Sequence, residues 1–252
     1  MSTAAGSPFA PDRWLAEIIE RPAYRLAAPG AGVAQLAEQM AGMSREGDAF
    51  FYAKLPTSEI AACIGLSNVG FAVIDTAMTL AWSGSQPAVA PASVQVGLAQ
   101  PQQASAILTI AESCFLWSRF HLDPQLPRRM ANLIKRRWIE NYVNGSRGSA
   151  LYAAVLDGEV AGFLAVIEST VNGVPAASID LVGVAPQCQG RGVGIALVDT
   201  FLRDWQSRAK ALRVGTQAAN IRSLRLYESR GFRIAESNYV LHAHYRCGRI
   251  QR

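Results

Sequence analysis

Three glycines alternate with other residues at Gly190, Gly192 and Gly194, inside the segment from Val182 to Gly194. An apolar stretch ends at Val184-Ala185-Pro186 just before them. From Gly192 onward Ile195, Val198, Phe201, Leu202 and Trp205 recur at helical spacing. The order is therefore strand, glycine loop, helix. Glycine lets backbone N–H groups approach an anion with no Cβ in the way. The first turn of a helix adds unpaired donors and a dipole that favour phosphate. Such a loop is a pyrophosphate cradle or, on its own, an ordinary glycine-rich turn.

Farther on, Asn220, Ser223 and Tyr227 sit three and four residues apart. A helix over Asn220–Arg230 puts them in one row about 10 Å long. A phenol with an ordinary pKa of about 10 can protonate a basic leaving group. Taken alone Tyr227 is a half-buried packing residue; with Asn220 and the glycine loop it becomes a site residue. Two other nucleotide loops are excluded. A Gly-x-Gly-x-x-Gly count from Gly190 lands on Ile195 and from Gly192 on Leu197, and no Gly-Lys pair exists for a P-loop.

Gln189-x-x-Gly192-x-Gly194 after Val182-Gly183-Val184-Ala185-Pro186 resembles the acetyl-CoA loop of the GNAT superfamily of N-acetyltransferases. The run from Asn220 through Tyr227 into Gly231-Phe232 is similar to that superfamily's second signature. The likeness covers about Ser93 to Tyr245. It implies an α/β (α+β) fold, a mixed central sheet flanked by helices, in which the strands ending at Val184 and Gln217 splay apart around acetyl-CoA. Backbone groups of Val182 and Val184 would pair with pantetheine. Gln189, Gly190, Arg191, Gly192, Val193 and Gly194 would take the phosphates, with Arg191 the only charge among them. Asn220 would bond pantetheine, and Tyr227 would protonate the departing thiolate. No metal is implied, and a homodimer is the family's common form.

Ser118-Arg119-Phe120-His121, a helix with Trp138-Ile-Glu140-Asn141, and Leu212 to Gln217 followed by Asn220 resemble the two-domain TDP-fucosamine acetyltransferases. That likeness implies a small-molecule amine as acceptor, carried on a nucleotide-linked amino sugar. The alternatives are a protein N-terminus or lysine, a polyamine or aminoglycoside, or a silent CoA-binding module. The attacking amine must be neutral, and Asp180, Glu168, His121 or water are the candidates to deprotonate it. Asp180 stands two residues before Val182, on the same strand face. His242-x-His244-x-x-Cys247 puts two imidazoles on one strand face. With no acidic partner close in sequence they read as surface histidines at a strand end, not as metal ligands.

The surrounding elements divide the chain unevenly: a small α/β N-terminal domain (1–90), a linker and first strand region (91–104), and the acetyltransferase domain (105–252). Strands are expected at Asp48–Leu55 and Gly70–Trp82, with a short helix over Thr57–Leu66 between them. A breaker-rich stretch from Trp82 to Pro101 reads as the linker. Helices over Gln102–Trp117 and Pro127–Val143 follow. Strands at Ala150–Leu156, Val160–Ile167 and Ala176–Val184 are joined by Asp157-Gly158 and Asn172-Gly173, dipeptides that tight hairpins prefer. After the Gly192–Arg208 helix come a strand at Leu212–Gln217 and a strand pair over Gly231–Tyr245. Strand–helix–Gly-Phe–strand occurs around both Gly70 and Gly231, a weak internal echo.

Composition sets the outer bounds. Half of the 252 residues are hydrophobic and 17% are charged, which excludes a disordered chain. Lys plus Arg (24) less Asp plus Glu (19) gives +5 with no dense basic stripe, so no nucleic-acid partner is expected. No apolar run reaches the roughly 18 residues of a membrane span, and no signal peptide is visible at the N-terminus. Four scattered cysteines form no Cys-x-x-Cys pair. The expectation is a cytoplasmic protein with reduced thiols.

Overall fold

The computed structural model describes residues 7–27, 32–84, 93–171 and 173–251. Asn172 and residues 85–92, the middle of the expected linker, lie outside the described residues. The strands are β1 (Phe9–Pro11), β2 (Ala23–Leu26), β3 (Ala49–Pro56), β4 (Ala72–Trp82), β5 (Val94–Leu98), β6 (Ala150–Leu156), β7 (Glu159–Val171), β8 (Val174–Val184), β9 (Ala211–Gln217), β10 (Phe232–Arg246) and β11 (Arg249–Gln251). The helices are α1 (Arg13–Ile19), α2 (Val33–Met43), α3 (Ile60–Asn68), α4 (Ala104–Ser113), α5 (Arg119–Leu122), α6 (Arg128–Val143), α7 (Val193–Trp205) and α8 (Ile221–Ser229).

Local chemistry explains the boundaries. Asp157 (φ 54°) and Gly158 (φ 84°) both take the left-handed conformation that a two-residue hairpin turn needs, so β6 and β7 pair tightly. Asn220 caps α8, its side chain accepting the Ser223 N–H at 3.3 Å. Asp12 caps α1 in the same way through Leu15 N–H at 3.0 Å. The expected strand pair over Gly231–Tyr245 is instead the single strand β10. No Gly, Pro or Asn-Gly breaks that stretch, and two register shifts, at Ile234/Glu236 and Val240/Leu241, absorb the irregularity as bulges.

All eleven strands join one mixed sheet, ordered β1-β2-β3-β10-β4-β9-β8-β7-β6-β5, with β11 on β10. The echo has a topological meaning. One copy is β3–α3–β4 and the other β9–α8–β10, and each joint uses a left-handed glycine, Gly70 (φ 96°) or Gly231 (φ 84°), followed by a buried Phe71 or Phe232. The two copies exchange their final strands. β10 pairs with β3, β4 pairs with β9, and the exchanged strands pair with each other, all antiparallel. The N-terminal half therefore supplies a strand beside β9, next to the site.

Helix α7 buries Val193, Leu197, Val198, Phe201, Leu202 and Trp205 against β6–β8, with Trp205 Nε1 donating to the Tyr152 hydroxyl at 3.1 Å. At roughly 1.5–3 kcal/mol per buried large side chain, this face fixes the glycine loop firmly to the sheet. On the other side α4 and α6 cover Ala153, Phe163, Ala165 and Leu181. No helix among the described residues is long and apolar enough to cross a membrane.

Candidate active site

Strands β8 and β9 pair in parallel only from Ala176/Ala211 to Ile179/Val214. At the next residue β8 bulges: Ala165 faces Leu181 while Val166 faces Ile179, which leaves Asp180 as the extra residue. A bulge bends its strand, and here β8 parts from β9. Beyond Ile179 the β9-facing edge of β8 has no strand partner among the described residues. A cleft of about 840 Å³ opens at this point, lined by Val182 and Val184 on one side and Gly215 to Gln217 on the other. Its floor continues to the glycine loop, α8 and β4.

Most of the expected residues meet here. Val182, Val184, Gln189, Gly190, Gly192, Val193, Gly194, Asn220 and Tyr227 all line the cleft. Gly190 (φ 80°) and Gly192 (φ 82°) are left-handed, so the loop turns its backbone into the first turn of α7 in a way that side-chain-bearing residues resist. Gly194 serves packing as well, since a Cβ there would lie 3.3 Å from Leu226 Cδ2. The loop fits a diphosphate by its backbone donors, and the open edge of β8 fits an extended amide-bearing chain. Arg191 departs from expectation. Its guanidinium bonds exposed Asp157 at 2.7 Å and does not line the cleft. The cations that do line this end are Arg222, which donates to Gln189 Oε1 at 2.6 Å, and Arg225. They stand one helix away in sequence from the loop, which is why a reading of the loop alone omitted them.

Tyr227 is 2% exposed, edge-on to Phe232 at 6.0 Å. Its hydroxyl has no hydrogen-bond partner among the described residues, and burial holds its pKa above the ordinary phenol value. The phenol is thus protonated at neutral pH and faces a shared cavity.

The residue that sequence reasoning missed is Asp75, on β4. Its carboxyl is 6% exposed, lines the cleft, and has a buried Oδ2 without a hydrogen-bond partner. Burial pushes it up to about 6, against the lowering effect of the Thr76 amide and the Gln217 side chain. A signal was present: Asp75 is the one charged residue between Gly70 and Trp82.

The bases considered from sequence fare differently. Asp180 lines the cleft, but its Oδ2 accepts Trp138 Nε1 (2.9 Å), the Tyr142 hydroxyl (2.7 Å) and Arg147 Nε (2.9 Å). Burial would raise its pKa, yet these donors outweigh burial and leave it below the carboxylate value, so it is a poor proton acceptor. Glu168 is exposed and lies outside the cleft. His121 is engaged on both nitrogens, by Ser118 Oγ at 2.6 Å and Asn132 Oδ1 at 2.9 Å, and does not line the cleft. Cys114 is also inert as a nucleophile, because burial pushes its thiol to about 12.

His242 and His244 correct the surface reading. They are 1% and 3% exposed, because β10 is an inner strand between β3 and β4. An acidic partner, distant in sequence, lies between them: Asp123 Oδ2 is 2.6 Å from His242 Nδ1 and 2.8 Å from His244 Nε2. Arg119 Nη1 bonds His242 Nε2 and Arg21 Nη2 bonds His244 Nδ1, each at 3.0 Å. An arginine can only donate, so each imidazole accepts from arginine and donates to Asp123. The three groups are grouped closely enough to hold a cation. In this bonding pattern, however, the imidazole lone pairs point at guanidinium groups. The array is an Arg–His–Asp–His–Arg tie between α5, β10 and the N-terminal half, and Arg119 at its end lines the cleft.

Comparison with known proteins agrees with this geometry. Residues 106–232 match the acetyltransferase (GNAT) family. The spore coat polysaccharide biosynthesis protein SpsD of Bacillus subtilis is 28% identical over 195 residues, covering 77% of this chain and 66%, just under two thirds, of that protein. The dTDP-fucosamine acetyltransferase of Escherichia coli O6:H1 is 27% identical over 192 residues, 75% of this chain and 80% of that one. Among solved structures, a GCN5-related N-acetyltransferase from Sphaerobacter thermophilus superposes with a TM-score of 0.59 at 14% identity, covering 94% of this chain and 76% of that chain.

Proposed function

The chain belongs to the acetyltransferase (GNAT) family, and from that premise we propose that it transfers acetyl from acetyl-CoA to the amine of an amino sugar carried on a nucleotide. The amino-sugar assignment draws on the names of the two relatives, and the cationic side chains at the cleft, Lys54, Arg119 and Lys135, suit an anionic carrier. Free thiols and the use of acetyl-CoA suit the cytoplasm.

The observation that carries the mechanism is that Asp75 and Tyr227 both line the cleft at the β8/β9 splay. Backbone amides at Gly190–Gly194 and the cations of Arg222 and Arg225 hold the diphosphate, and the open edge of β8 at Val182–Val184 aligns the pantetheine arm. Asp75, ionised above about pH 6, takes the proton that the acceptor nitrogen sheds as it attacks the thioester carbon. The C–N bond forms as the C–S bond breaks, and Tyr227 gives its proton to the departing sulfur. Both reactants are bound together, and no acyl-enzyme is required. The N-terminal half, on this reading, is part of the catalytic unit because it supplies Asp75.

The test is thiol release from acetyl-CoA against a panel of amino-sugar nucleotides, free amino sugars, polyamines and peptide amines. Turnover confined to amino-sugar nucleotides supports the acceptor assignment. Turnover only with peptides or polyamines overturns it, and tight CoA binding with no turnover on any amine returns the chain to a binding module.

A further inference from the structure

The chain has 24 lysines and arginines, of which only Lys54, Lys135 and Lys210 are lysines. Lys54 and Lys135 line the cleft, and Lys210 is exposed outside it. Lys135 differs from the other two in being 7% exposed. Its Nζ sits 4.9 Å from the ring centroids of both Phe115 and Trp138, with no hydrogen-bond acceptor among the described residues. The same Trp138 donates to Asp180, the bulge residue at which β8 leaves β9. The Lys135 amine therefore lines the cleft on the side of Asp180, close enough to feel that carboxylate.

Resting on the reading that acetyl-CoA occupies this cleft, we propose that Lys135 is an internal acetyl acceptor, modified by the bound acetyl-CoA when no amine substrate is present. Its Nζ lone pair attacks the thioester carbon. The C–N bond forms, the C–S bond breaks, and the proton lost from nitrogen ends on the coenzyme sulfur, giving acetyl-Lys135 and free CoA. The groups facing Lys135 are Asp180 on β8, Arg119 on α5, Cys114 at the end of α4 and, farther off, His121. Burial lowers the ammonium to about 8, aided by Arg119 and opposed by Asp180 and Cys114, so a usable fraction is neutral near physiological pH. Acetylation removes a cation from the acceptor end and adds bulk there. The modification thus limits turnover when acetyl-CoA is abundant and acceptor is scarce.

The experiment incubates the full chain with acetyl-CoA alone at pH 7.0 and 8.5, then reads intact mass and maps the modified peptide. A single acetyl group on Lys135 is expected, forming about eightfold faster at the higher pH as the amine loses its proton. Excess desulfo-CoA, which occupies the site without a thioester, suppresses it. Lys135→Arg, which keeps a cation against both rings, gives no adduct. Equal labelling of Lys54 and Lys210, or labelling that desulfo-CoA does not suppress, overturns the proposal as solution acetylation. CoA binding and amine turnover are measured on the same sample. An active enzyme with unmodified Lys135 sinks this inference alone, whereas absence of CoA binding sinks it together with the reading beneath it.

Discussion

Tyr227 and Asp75 reach one cleft from opposite halves of the chain, and neither the Tyr227 hydroxyl nor Asp75 Oδ2 has a hydrogen-bond partner among the described residues. Asp75 Oδ2 is buried, and an unpaired buried polar atom costs about 1–3 kcal/mol, which is tolerated where a substrate completes it. For Tyr227 the consequence is direct. Tyr227→Phe keeps the ring against Phe232 and loses only the proton donor. It should bind CoA within about twofold of wild type and lose about a hundredfold or more in kcat, with a melting temperature equal or higher. Wild-type turnover in this variant would remove Tyr227 from the mechanism.

Asp75 yields a paired prediction for rate and stability. The ionised form is the base, so kcat/KM should rise with pH through about 6, the value to which burial pushes this carboxyl. Asp75→Asn should abolish that limb and lower kcat/KM by about a hundredfold or more. A group whose folded pKa is raised opposes folding once it ionises, here from the ordinary 3.8 upward through about 6. The variant should therefore unfold at a higher temperature than wild type at pH 8 and show little difference at pH 3.5. A pH profile unchanged by the substitution assigns the limb to another group.

The contrast between these two residues explains what could be read from the chain. Tyr227, Asn220 and the glycines belong to local strand–loop–helix units, whose spacing carries their geometry. Asp75 reaches the site only because β4 and β10 are exchanged between the two strand–helix–strand copies, and pairing over such a distance leaves no local periodicity. The histidines on β10 were legible as a pair on one face, since alternation fixes that. Whether that face looked inward depended on β3 and β4 flanking it, and its acid came from the turn after α5. Asp180 likewise was visible as a cleft residue, while its three donors came from α6 and the loop beyond.

Those donors define a structural duty for Asp180. Asp180→Ala would leave the Trp138 N–H, the Tyr142 hydroxyl and the Arg147 guanidinium without their shared acceptor, at a cost of about 2–4 kcal/mol. Denaturant midpoints should fall accordingly, and the activity limb near pH 6 should persist in whatever fraction folds. Disappearance of that limb, with stability intact, would make Asp180 the base in place of Asp75.

Arg191 and Arg222 separate loop position from function. The Arg191–Asp157 pair is solvent-exposed on both sides, where water and salt screen it. Arg191→Ala should change acetyl-CoA affinity less than about threefold. Arg222→Ala removes a cleft cation and releases Gln189, and a loss of about tenfold is expected from a charge-assisted contact. Calorimetric titration with CoA distinguishes them, and the reverse order would return the phosphate contact to Arg191.

The Arg119–His242–Asp123–His244–Arg21 tie makes folding sensitive to acid. Burial chiefly, with Arg119 adding to it, holds His242 below its ordinary 6.5, so it is neutral in the fold. In the unfolded chain it gains a proton as the pH drops past 6.5, so the unfolded state binds more protons there. Stability is full above that value and falls below it, by about 1.4 kcal/mol per pH unit for one proton. Asp123 is held below the carboxylate range, because its two imidazole donors outweigh burial. Its contribution is present above its ordinary 3.8 and is lost only at lower pH, so the two groups act in successive windows. Asp75 titrates in the opposite sense over part of this range, so the effect is read in an Asp75→Asn background, where urea midpoints should decline between pH 6.5 and 5. His242→Asn keeps an N–H toward Asp123 but does not titrate. It should lower stability by about 1–3 kcal/mol at pH 7.5 through the lost contact to Arg119 and remove most of the decline between pH 6.5 and 5. A slope in that interval equal to wild type would assign it to a histidine other than His242.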